Sequence, residues 1–131
     1  MQDFRKLRAW HLANDISLRV VAAFPPGSAS VVPGLRSQVI RAAMSIAANL
    51  AEGAGRATRT EFLHFVEISS ASRHELDSHL RVARDVGALP HELHATLKHD
   101  LDLLHRMLIS LMRTLQRRIA EDEDATRNAS P

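Results

Sequence analysis

The amino-acid sequence predicts an all-α fold, an antiparallel up-down-up-down four-helix bundle, on three observations. Residues 35–52 are apolar or small around most of a helical circumference, as in a helix covered by neighbours. Residues 97–115 repeat leucine at heptad spacing. Low aromatic content and only five glycines in 131 residues argue against an all-β chain. Four helices with two short connections make successive helices antiparallel neighbours.

Residues 4–24 read as the first helix, capped by Asp3. Ala9, Ala13, Ile16, Val20 and Phe24 form its buried stripe, widened by Leu7 and Trp10. Asp15 and Arg19 have the i,i+4 spacing of a surface pair. Pro25-Pro26-Gly27 ends it, because two prolines remove donors and clash with the preceding turn. Residues 27–34 form a loop.

The second helix runs from Leu35 to Glu52 and is expected to be the central rod of the bundle. Leu35, Val39, Ala42, Ile46 and Leu50 form one wall; Ile40, Ala43, Met44, Ala47 and Ala51 form another. Its many alanines allow close approach. Gly53-Ala54-Gly55 is expected to stop it with a left-handed glycine cap. A membrane span is excluded, since Arg41 and Glu52 interrupt the segment and no apolar run reaches about 20 residues.

The third helix opens with the capping box Thr58-Arg59-Thr60-Glu61. Its apolar stripe is read as Phe62, Phe65, Ile68, Leu76, Ala83 and Val86, with Ser69 and Ser72 facing the alanine-rich helix. Glu67, Ser70, Arg73, His74, Asp77, Arg81, Arg84 and Asp85 are placed on the polar face. Gly87 closes the helix, and Pro90 suits the first turn of the fourth. There Leu97, Leu101, Leu104, Leu108, Leu111 and Leu115 make an all-leucine seam. Leu103, Met107, Ile109 and Met112 lie off it, more apolar surface than one core needs, which points to a subunit interface. Residues 1–120 form the bundle domain; residues 121–131 are acidic and polar and expected to be a disordered tail.

One domain of this length has room for a real core. Without cysteine there is no disulfide framework, thiolate metal site or thiol nucleophile. With no secretory leader pattern, the expected location is cytoplasmic. Residues 1–120 carry 16 Lys+Arg against 11 Asp+Glu, whereas residues 121–131 carry one Arg against four acids. Fifteen of the 17 cations are Arg, which suits bidentate phosphate contacts and equally a GC-rich genome.

No catalytic constellation emerges. A di-metal bundle site needs two Glu-x-x-His motifs; Glu61 to His64 supplies one, and Glu61 is already used in the capping box. His91, His94, His99 and His105 lack the further ligands of a zinc site and read as solvated histidines. Ser45, Ser69, Ser70 and Ser72 lie in helices without a nucleophile elbow. The turn Gly53 to Arg56, with Arg59 and the N–H groups near Thr58, is a plain tight turn or a phosphate seat. Gln38, Arg41, Ser45, Asn49 and Glu52 share one stripe and, with Glu75 as partner for Arg41, form a structural polar network. Basic positions open to RNA are Arg56, Arg59, Arg73, Arg81, Arg84, Arg106, Arg113 and Arg117; an ordinary solvated face is the bland alternative.

Arg41-Ala42-Ala43, Ser45 to Asn49, Glu52-Gly53 and Gly55-Arg56 carry a family resemblance. Phe4 to Val21, the Phe24-Pro25 step, Gly34 to Gln38, Glu61-Phe62, Phe65, Ile68, Ser72 and Glu75-Leu76 extend it over about residues 4–90. Ser69 and Ala71 depart from the usual Ala and Gly. In these residues the chain resembles the 23S rRNA intervening-sequence proteins and their relatives, the accessory variability determinant proteins of diversity-generating retroelements. The resemblance implies a small bundle assembling as a homopentamer, no enzyme activity and no cofactor. For members encoded beside a reverse transcriptase it implies a basic scaffold that binds the polymerase and nucleic acid.

Two functions compete on this reading. One is a non-catalytic oligomeric scaffold that binds RNA, with a reverse transcriptase as a further partner. The other is a structural or protein-interaction oligomer whose charges only solubilise it. A metal enzyme is a distant third. No membrane and no small-molecule substrate are expected.

Overall fold

The computed structural model of the protein describes residues 2–129. A 3₁₀ turn, Phe4–Lys6, precedes four helices: α1 (Arg8–Ala23), α2 (Leu35–Ala54), α3 (Arg59–Asp85) and α4 (His91–Ala129). Among the described residues there is no strand. The helices form a ring in which α1 packs on α2, α2 on α3, α3 on α4 and α4 on α1, with no backbone approach across either diagonal among the described residues. Partners across each seam run in opposite senses. Ser17 bonds the Ala43 carbonyl while Arg36 bonds that of Phe24. Ser69 bonds the Ile46 carbonyl while Ser72 meets Ser45. Lys98 reaches Asp77 while Asp122 takes Arg59. These pairs make the bundle antiparallel, up-down-up-down.

The leading apolar walls are the core. Ala13, Ile16, Val20 and Phe24 of the α1 stripe are fully enclosed, as are Val39, Ile46 and Leu50 of α2 and Leu101, Leu104 and Leu108 of α4. Leu111, expected on the same seam, is half-buried and packs against the core's edge.

Several expectations are corrected. α2 is a corner of the ring and not a rod wrapped by three companions: among the described residues its backbone approaches α1, α3 and the 3₁₀ turn but not α4, and Met44 and Ala48 look outward. The first helix is broken at Leu7, whose extended backbone turns its side chain into the core; Asp3 caps the 3₁₀ turn by accepting from the Arg5 N–H. The stretch from residue 121, expected as a disordered tail, continues α4 to Ala129, with Arg117–Glu121 at 3.8 Å and the Arg127–Asp124 pair along it. Side-chain pairs one turn apart support a helix that composition alone does not suggest. Ser130 and Pro131, the end of that expected tail, lie outside the described residues.

Two caps behave as expected. Thr58 accepts from the Glu61 N–H at 3.1 Å. Gly87 has φ of 79°, and the N–H groups of Gly87 and Ala88 return to the Arg84 and Ala83 carbonyls at 3.1 and 2.8 Å. That is the paired closure a left-handed residue permits after a helix. The end of α2 is different. Gly55 is right-handed with φ of −82°, and Gly53 lies inside the helix. Its role is steric: a Cβ there would stand 2.7 Å from Phe65 Cβ and 2.9 Å from Phe62 Cδ1.

Gly53→Ala therefore forces α2 and α3 apart, at a cost of about 1–3 kcal/mol. Gly55→Ala meets only carbonyl oxygens at 3.6 and 3.8 Å and changes stability by less than about 0.5 kcal/mol. Thermal unfolding of the two variants side by side checks the contrast.

Candidate nucleic-acid interface

α3 presents to the core Phe62, Val66, Ser69, Arg73, Leu76, Leu80 and Ala83. These positions step by four and three, a heptad, and Arg73 stands in it. Arg73 was expected on the solvent face; it is 4% exposed. Its Nη1 donates to the Leu101 carbonyl at 3.4 Å, and its Nε has no partner among the described residues. Burial lowers the guanidinium's pKa, against the opposing field of Asp77 and Asp102. Arg73 is thereby withdrawn from any outer surface.

Beside it a charge ladder joins α3 to α4. Arg81 bonds Asp77 at 3.1 Å; Lys98 bridges Asp77 at 3.3 Å and Asp102 at 2.8 Å. Burial works against the Asp77 carboxylate, but the bonds from Arg81 and Lys98 outweigh it and hold its pKa below the ordinary range. The bond from Lys98 likewise lowers that of Asp102.

The remaining basic positions separate by partner. Arg56 pairs with Glu52 at 2.7 Å and lies 4.8 Å from the centre of the Phe65 ring. Arg59 holds Asp122 with one nitrogen at 2.7 and 2.8 Å from the two carboxylate oxygens. The turn weighed as a phosphate seat or a plain tight turn thus already faces carboxylates of the chain itself, in an open cleft also lined by Arg118, Glu123 and Arg127. Arg81 is tied to Asp77 and Arg84 to Asp85. Among the described residues Arg117 has only Glu121, at 3.8 Å, with both side chains 65% exposed. Arg106 and Arg113 are exposed and make no ion pair or hydrogen bond among the described residues, although Arg106 acts on Asp102 through its charge.

Arg106, Ser110, Arg113 and Arg117 fall on one line along the outer face of α4, opposite the leucine seam. At 1.5 Å per residue, Arg106 to Arg113 spans about 10.5 Å and Arg113 to Arg117 about 6 Å. Thr114 borders the same shallow surface. Arg118, adjacent in the chain, lies off this line and borders the Arg59–Asp122 cleft instead.

The polar stripe of α2, read from the sequence as an internal network, makes its bonds at exposed and part-buried positions. Arg41 bonds Gln38 and reaches Glu75 at 3.5 Å. Asn49 donates to Ser45 Oγ at 3.0 Å, and Ser45 meets Ser72 at 2.8 Å. Glu52 belongs instead to Arg56. Among the histidines, His94 is buried, contrary to expectation, because it extends the leucine seam three residues upstream; its Nε2 has no partner among the described residues. Burial lowers the pKa of both His94 and His105. His105 faces His74 edge-on at 5.7 Å. Among the described residues no group of three His, Asp or Glu could hold a metal ion, and no helix is long and apolar enough to cross a membrane.

Comparison with known proteins agrees with the fold. The family model of the 23S rRNA-intervening sequence protein matches residues 5–110. A crystal structure of a protein of unknown function from the S23 ribosomal protein family of Bacteroides thetaiotaomicron is similar, with a TM-score of 0.72 at 18% identity, covering 79% of this chain and 97% of that one. No curated protein matches the chain.

Replacing the buried guanidinium by an unbranched apolar chain removes a desolvated charge and leaves Asp77 and Asp102 with Arg81 and Lys98. Arg73→Met is expected to change unfolding free energy by no more than about 1 kcal/mol in denaturant titrations. The histidines give a second test. With folded pKa values below the unfolded value of about 6.5, the unfolded chain binds more protons, so stability falls as pH drops through and below that value. Melting temperature should decline between about pH 7 and pH 5, and His94→Leu with His105→Leu should flatten the decline.

Proposed function

Because the chain belongs to the 23S rRNA-intervening sequence protein family, we propose that it works in the cytoplasm as a non-catalytic, oligomeric scaffold that binds RNA through the outer face of α4. The observation that carries this reading is the row of Arg106, Arg113 and Arg117. It is the part of the basic candidate set least neutralised by the chain's own carboxylates. Ser110 and Thr114 beside it add hydroxyl donors suited to phosphate oxygens.

Self-association draws support from side chains that the bundle leaves uncovered: Leu18 at 64%, Val31 at 66% and Met44 at 56% exposure. Those apolar residues lie on α1, α2 and the loop between them. Of the four residues expected to supply the surplus, Met107 and Met112 pack against the core, while Leu103 and Ile109 are half-buried outside it. Five copies, and a reverse transcriptase as partner, are proposed on the resemblance alone. The competing reading, a protein-interaction oligomer without RNA affinity, rests on the same exposed residues.

RNA affinity measured against salt separates the two. Three phosphate contacts predict roughly a 40-fold loss of affinity between about 50 and about 200 mM salt. Reversing all three charges, Arg106→Glu, Arg113→Glu and Arg117→Glu, should abolish binding while leaving the oligomer mass by light scattering unchanged. Salt-independent or absent binding favours the protein-interaction reading.

A further inference from the structure

We infer that the α4 row grips the phosphates of double-stranded RNA and does not hold single strands by their bases. The inference rests on the RNA-binding reading above and specifies its substrate. Proteins that hold single strands do so by stacking bases on exposed aromatic rings, within a basic groove. This chain has five Phe and Trp side chains and no Tyr. None of the five is exposed. Phe24 and Phe62 are in the core. Phe4 packs edge-on against Trp10 at 4.9 Å, and Phe65 lies under Arg56.

The α4 face itself confirms the poverty of stacking surface. Its residues on the basic line are Arg106, Ser110, Arg113 and Arg117, all donors suited to phosphate or ribose oxygens. One exposed ring shares the line, the His99 imidazole, two helical turns before Arg106. His105, at the edge, is turned onto His74. The surface is the convex outside of a helix, not a channel around a strand. A straight row of guanidiniums on a convex rod matches an ordered backbone, where a duplex sets the phosphate spacing. A flexible strand must be ordered first, and without stacking nothing offsets that entropy. Recognition by shape and backbone, with little dependence on sequence, is how double-stranded RNA is commonly bound.

The test uses the full chain and two fluorescent probes: an RNA hairpin with a stem of about 20 base pairs, and a non-pairing single strand of equal length. Anisotropy should show the stem bound at least tenfold more tightly, stems of unrelated sequence bound equally, and a log–log salt slope of about −3. Arg106→Gln with Arg113→Gln should bring that slope to about −1, and His99→Ala should leave both affinities unchanged. A single strand bound as tightly as the stem, or a His99→Ala variant that loses single-strand affinity severalfold, overturns the duplex inference while RNA binding stands. Failure of both probes to bind at low salt overturns the RNA-binding reading itself.

Discussion

The close approach of α2 and α3 is the constraint on which the rest of the bundle depends. Where the two helices cross, serines and a glycine keep the backbones close and leave room for two phenylalanines. Ser69 donates to the Ile46 carbonyl, Ser45 meets Ser72, and Gly53 leaves room for Phe62 and Phe65. Apolar walls alone tolerate a slip of one helical turn, since a leucine can exchange one hole for the next. A hydroxyl bonded to a particular carbonyl does not. A slip would bury the Ser69 hydroxyl without a partner, a penalty of about 1–3 kcal/mol. Ser17 does the same work between α1 and α2 through the Ala43 carbonyl. Small polar residues thus set the register, and the apolar walls supply the driving force.

Once that register is fixed, the α3–α4 seam follows from charge. Asp77, Lys98 and Asp102 interleave across it, with Arg59 and Asp122 at the far end. Arg19 and Asp100 tie α4 to α1, with both side chains partly shielded. Most cations of the bundle are therefore spent holding helices together or answering an acid one turn away. Exposed pairs of this kind contribute at most about 1 kcal/mol each to stability. Their greater consequence is for the surface, which they leave far less basic than composition suggests.

Much of this was legible in the sequence, and the parts that were not share a cause. The leucines of α4 and the apolar wall of α2 could be placed because each is long and regular. The Thr58 cap was readable because its chemistry is local. Arg73 and His94 were misplaced because a charged or titratable side chain was assigned outward on its character. Position was the better guide. Arg73 is four residues after Ser69 and three before Leu76, and His94 is three before Leu97. Phe65, Ile68 and Val86 were read onto the core stripe of α3 because they are apolar, at the expense of Val66 and Leu80, which fit the heptad and are buried. Gly53 was read as a stop signal because nothing local reveals that Phe62 and Phe65 of another helix press against it.

The candidate interface was legible only as a superset. Sequence reasoning collected eight arginines, and nothing in their spacing showed which had partners. Asp85 next to Arg84 and Glu52 one turn before Arg56 were visible hints. Asp122, more than sixty residues from Arg59, was not. Partner geometry reduces the set because a phosphate must displace any carboxylate already in place. At Arg59 it meets a carboxylate held at hydrogen-bond distance; at Arg106 and Arg113 it displaces only water and counterions. Electrostatic binding gains mainly from releasing counterions, so arginines without an internal acid contribute most. That asymmetry singles out the outer face of α4, although α3 carries four of the candidate arginines and α4 three.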